Sequence, residues 1–146
     1  MFSENYSRQT ALASVEKALD PNLNDHELAT LARSEEAKVR AAVAERPAMP
    51  LTTLLKLAHD VSPVVRAGVA RNPRVDIPED LHRELAGDKS PEVVYALIEN
   101  PQVSDAIIGK LARQIHKEYA VAARARLSSK GGAARVLGRF GIAASH

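Results

Sequence analysis

Leu-Ala pairs stand at Leu31-Ala32, Leu57-Ala58, Leu85-Ala86 and Leu111-Ala112, spaced 26, 28 and 26 residues apart. Eight residues after each leucine come Val39, Val65, Val93 and Tyr119, and four further on come Val43, Val69, Leu97 and Ala123. Pro47, Pro73 and Pro101 close the first three units, and Pro21 stands one period before Pro47. Columns held in one register define a repeat, and units this short bury a core only by stacking on their neighbours. The two-residue expansion between Arg74 and Leu85 reads as a looped-out insertion, because the units on both sides keep phase.

Each unit reads as two short helical pieces. The longer one covers Glu35–Glu45, Pro63–Arg71, Pro91–Glu99 and, more loosely, Lys117–Leu127. Ser62-Pro63 and Ser90-Pro91 mark its start, with the serine hydroxyl expected to accept from orphan amides and the proline losing no helical hydrogen bond. Asn72-Pro73 and Asn100-Pro101 mark its end, with asparagine expected in the left-handed conformation. The second piece, as in Leu51–Ala58 or Glu79–Ala86, is short enough to be partly 3₁₀. Val39, Ala42 and Val43 share one stripe, matched by Val65, Gly68, Val69 and by Val93, Ala96, Leu97. The column Ala42, Gly68, Ala96, Ala122 is small throughout, which permits close approach of successive helices.

At these residues the sequence resembles the leucine-rich repeat variant family. The likeness lies in LAHDVSPVVRAGVARNP (Leu57–Pro73), LAGDKSPEVVYALIENP (Leu85–Pro101) and the looser LARSEEAKVRAAVAERP (Leu31–Pro47), and it covers about residues 18–127. The resemblance implies an all-α fold, a short right-handed α-solenoid of about four repeats alternating α and 3₁₀ helices, related to HEAT-like stacks. The family's founding member carries an iron–sulfur module held by cysteines. The chain has no cysteine, so that module does not transfer and no cofactor or metal is expected. A repeat family specifies a fold far better than a function.

The repeat domain is expected over residues 1–127, with 1–27 as an N-terminal cap and 28–127 as the repeats. In the cap, Thr10–Leu19 reads as a helix with Leu12, Val15, Ala18 and Leu19 on its inner side. Residues 128–146 read as a basic tail: Ser128-Ser129-Lys130-Gly131-Gly132 as a flexible break, then room for a short helix over Ala133–Phe140.

With 146 residues, 45% of them hydrophobic and 26% charged, the chain suits one folded domain and not a disordered one. No apolar run approaches the roughly 18 residues of a membrane span, so no membrane role is expected. The opening MFSENYSRQT lacks the basic-then-apolar order of a signal peptide, and a cytoplasmic location is expected. Charge is uneven. Residues 109–146 carry eight basic side chains against Glu118 alone, so a chain of net charge +2 places +7 there and leaves −5 on residues 1–108.

The residues offer little to catalysis, and no enzyme activity is expected. His26, His59, His82, His116 and His146 occupy different repeat positions, and none is paired at the i, i+4 spacing of a helical metal site. Asp60 and Asp88 share a column at helix entrances, which favours capping, with Arg40 and Arg66 as neighbours, over acid–base work. DNA glycosylases occur among HEAT-like stacks, but stacking a damaged base needs aromatic surface, and the chain has no tryptophan.

Binding is the stronger reading. Helix positions not used for packing form a ribbon, and here it holds Lys38, Glu45, Val64, Arg71, Glu92, Tyr95, Glu99 and Val121. That ribbon suits a protein or peptide partner held by a non-catalytic scaffold. Tyr95 is either its anchor or a packing residue; the spacing allows both. The alternative is sequence-independent nucleic-acid binding through Arg113, Lys117, Arg124, Arg126, Lys130, Arg135 and Arg139. An atypical last unit, with Tyr119 in a valine column, also leaves room for a homodimer through that end.

Overall fold

The computed structural model describes residues 12–129. Residues 12–18 form α1, followed by α2 (Asp25–Leu31), α3 (Ala37–Ala44), α4 (Leu51–Leu57) and α5 (Pro63–Arg71). Then come α6 (Glu79–Ala86), α7 (Pro91–Glu99), α8 (Asp105–Ala112) and α9, residues 119–129. No strand occurs among the described residues, and the fold is all-α. Ser128 and Ser129 belong to α9, so the break expected after Leu127 does not begin before residue 130. The rest of the expected tail lies outside the described residues.

The helices sort into two layers. In one, α3, α5 and α7 pack directly on one another. In the other, α4 leans on α3 and α5, and α6 on α5 and α7; within this open layer α6 also meets α8, while α4 barely touches α2 or α6. The core lies between them. Val39, Val43, Val65, Val69, Val93 and Leu97 enter from the close-packed layer, and Leu28, Leu54, Leu57, Leu81, Leu85, Ile108 and Leu111 from the open one. Each such side chain contributes about 1.5–3 kcal/mol by leaving water. No helix here is long enough to persist alone, so the layers exist only together.

The open-layer pieces are α-helices with no 3₁₀ segment among the described residues, which corrects that expectation. In α4 the Leu54 amide donates to the Pro50 carbonyl at 3.1 Å and the Ala58 amide to Leu54 at 2.9 Å, both at the α spacing. That spacing puts Leu54, Leu57 and Ala58 on one side against the core, whereas 3₁₀ geometry would spread them. The cap needs correction too. Ala18 is buried, but Leu12 and Leu19 are 65% and 64% exposed. Leu12 opens α1 on its outward side and Leu19 lies just past its end, one repeat before Lys38 and Glu45.

Gly68 is where the close-packed layer is tightest. A Cβ there would sit 2.8 Å from the Ala41 carbonyl oxygen and 3.1 Å from the Ala44 Cβ. The first neighbour is backbone and cannot swing away. Gly68→Ala should therefore destabilise by about 1–3 kcal/mol, despite alanine's better helix propensity. Equal or higher stability in urea would mean that α3 and α5 separate at little cost.

His82 stands in the column of Leu28, Leu54 and Ile108 and is only 4% exposed, with no partner on Nε2 among the described residues. Burial lowers its pKa below 6.5, against an opposing pull from Glu79. The unfolded chain therefore takes up the proton first, and stability falls as pH drops through 6.5. His82→Leu should raise stability by about 1–2 kcal/mol at pH 7 and widen its advantage at pH 5. A variant no more stable at either pH would contradict this reading.

Candidate protein-interaction face

Seams between repeats hold the face in place. The Asn72 side-chain amide reaches back to donate to the Ala44 and Arg46 carbonyls, both at 2.8 Å, and its oxygen accepts from the Arg74 amide at 3.0 Å. Asn100 repeats this on Ala70, Asn72 and the Gln102 amide at 2.8, 2.9 and 3.0 Å. Neither asparagine is left-handed; φ is −58° at Asn72 and −84° at Asn100. Their task is to satisfy a last-turn carbonyl of the preceding unit's helix, Ala44 or Ala70, and to grip the carbonyl two residues further on. Arginine takes over at both ends of the column. Arg46 donates to Ala18 at 2.7 Å, and Arg126 to Ile98, Asn100 and Val103 at 2.7, 2.8 and 2.6 Å.

A second seam runs along the helix entrances. Arg40 makes a two-pronged contact with Asp60 at 2.9 and 3.1 Å, and Arg66 with Asp88 at 2.7 and 3.2 Å. Each aspartate also accepts from the serine amide two residues on, Ser62 at 2.9 Å and Ser90 at 2.8 Å. The serine hydroxyls cap nothing. The carboxylate instead fixes the turn that leads into the next helix while it holds the preceding repeat's arginine. Burial pushes both carboxyls up, but the arginine hydrogen bonds, serine amides and nearby guanidinium charges outweigh it and hold them below 3.8.

With the seams absorbing these residues, the outward positions form two columns. Lys38, Val64, Glu92 and Glu118 are exposed in one, and Glu45, Arg71 and Glu99 in the other. Arg71 bridges to Glu45 across repeats at 3.3 Å. Between the columns runs Ala41, Ala67, Tyr95 and Val121. Gly68 approaches Ala41, so this middle line is the forward stacking edge of each helix. Tyr95 is half-buried and packs against the core, while Val121 is 64% exposed.

The basic residues are dispersed in role. Arg113 and Lys117 are exposed, Arg124 donates to the Ala112 carbonyl at 2.9 Å, and Arg126 is spent on the seam. Lys130, Arg135 and Arg139 lie outside the described residues. Arg126 stands one repeat after Asn100, but the sequence pattern alone does not assign it to the seam.

A shallow cleft of about 290 Å³ between α4 and α6 is lined by His59, Asp60, Arg66, Glu84, Asp88 and Lys89. Its aspartates are clamped by arginine, and Glu84 meets His59 at 2.5 Å. Among the described residues no three His, Asp or Glu side chains gather as a metal site would require. No helix among them is long and apolar enough to cross a membrane.

Short helices in two layers, stitched through small residues and recurring polar seams, define a helical repeat protein. Residues 37–62, from α3 to the entrance of α5, match the leucine rich repeat variant family. No curated protein and no solved structure matches the chain.

Proposed function

We propose that the protein is a non-catalytic scaffold that holds a protein or peptide partner against the outward columns of α3, α5 and α7. One observation carries this reading. Lys38, Val64, Glu92 and Glu99 are exposed at repeat spacing, yet the packing and seams need none of them, and Arg71 beside them makes only an exposed ion pair with Glu45. A surface set by a rigid stack is preorganised, so binding costs little ordering entropy. Val64, 38% exposed between charged neighbours, supplies apolar contact within a polar rim.

Val64→Asp with Arg71→Glu and Glu99→Lys tests it. The triple variant should lose capture of interacting proteins at least tenfold while its unfolding transition stays within a few degrees of wild type. Undiminished capture would remove the ribbon from the binding site.

A further inference from the structure

The ribbon is uneven in charge. Lys38 and the Glu45–Arg71 pair balance its first half. The charged residues of its second half are Glu92, Glu99 and Glu118, with exposed Lys89 and Lys117 flanking it at the helix entrances, and none of the three glutamates makes an ion pair among the described residues. Between these carboxylates run the half-buried ring of Tyr95 and the exposed Val121. The complement of such a strip is a segment that mixes cations with apolar side chains and carries no carboxylate.

The chain contains one. Residues 130–146, KGGAARVLGRFGIAASH, hold Lys130, Arg135 and Arg139 among Val136, Leu137, Phe140 and Ile142, with no Asp or Glu. We propose that residues 130–146 dock in cis on the acidic half of the ribbon, around Tyr95 between Glu92 and Glu99, and compete there with a partner. The proposal rests on reading the ribbon as a binding surface.

Reach presents no obstacle. Residue 130 follows α9 directly, and Arg126 ties α9 to the end of α7 through the Ile98 and Asn100 carbonyls. A nine-residue helix such as α7 is only about 13 Å long. Ten extended residues cover about 33 Å, so Arg135 and Arg139 can both meet glutamates. Exposed ion pairs are individually weak and screened by salt. Tethering raises the effective concentration of the segment to the millimolar range, which makes a weak latch sufficient.

The absence of cysteine makes the test direct. Gly138→Cys gives the full chain a single site for a nitroxide label, and amide signals of ¹⁵N-labelled protein are compared before and after reducing the label. At 50 mM salt the amides of residues 92–99 should broaden severalfold more than those of α4. The effect should vanish at 1 M salt. It should also vanish in Glu92→Lys with Glu99→Lys, and return when Arg135→Glu and Arg139→Glu are added. Unchanged signal dispersion checks that the variants fold. Uniform broadening, or broadening centred away from α7, would overturn the proposal. Broadening that appears when nitroxide-labelled unenriched chains are mixed with ¹⁵N chains would place the contact between copies and overturn docking in cis. If α7 stays unaffected while the ribbon triple variant still loses capture, the latch fails and the scaffold reading stands. If α7 broadens but capture is undiminished, the face binds the segment alone and the scaffold reading fails.

Discussion

Asn100→Leu should cost about 3 kcal/mol, a large loss for a side chain swapped at nearly constant volume. The amide of Asn100 donates to two carbonyls and its oxygen accepts from one amide, and the residue is 4% exposed. Leucine fills the space but strands Ala70 O, Asn72 O and Gln102 N. Each orphaned buried group costs roughly 1–3 kcal/mol, and partial relaxation lowers the sum. The loss sits at the seam between α5 and α7, so it should also weaken coupling between repeats. Urea unfolding is expected to shift to lower midpoint with a broader transition. A midpoint unchanged from wild type would show that water reaches the seam and replaces the amide.

Asp88→Ala is the second large effect. It leaves the Arg66 guanidinium, whose residue is 9% exposed, without the carboxylate that takes both its Nε and Nη2. Breaking a buried pair from one side costs about 3–5 kcal/mol, and the slight exposure of both groups places this variant at the lower end. Asp88→Asn keeps an acceptor for the Ser90 amide and should lose less. The same pair sets acid behaviour. Folding holds the Asp60 and Asp88 carboxyls below 3.8, so their contribution is complete above that range. It is lost as pH falls through the lowered folded-state values. In Asp88→Ala the acid limb of a stability–pH curve should be shallower than in wild type. An equally steep limb would assign acid unfolding to other groups.

Much of the fold was legible in the sequence because its signals are local. Pro63 and Pro91 fix the first turns of α5 and α7, and both helices run over the residues the pattern predicts. The valine stripes and the small column at Gly68 are periodic, and they pack as periodicity requires. What the pattern missed is long-range. Asparagine before proline signals a helix end, but which carbonyls its amide meets depends on a unit 26–30 residues away. Serine before proline signals a cap, yet the aspartate two residues earlier can serve two repeats and does so. Arg126 reads as a free cation in a basic region, and only stacking turns it inward.

The candidate face was legible in part for the same reason. Its outer columns follow from helical spacing and are exposed as that spacing implies. Tyr95 was ambiguous because its column is where one helix meets the next. At Ala67 that column is buried, at Tyr95 half-covered, and at Val121 open. No single-helix rule distinguishes these, since exposure there depends on the helix that follows.

The most direct measurement is site-specific photo-crosslinking in cells, with a benzophenone amino acid placed at Glu92 in one variant and at Asp80 in another. Both positions are exposed, the first on the ribbon and the second on the open layer. A scaffold working through the ribbon predicts discrete adducts from position 92 and none above background from position 80. Adducts from position 80 alone, or none from either, would contradict the account.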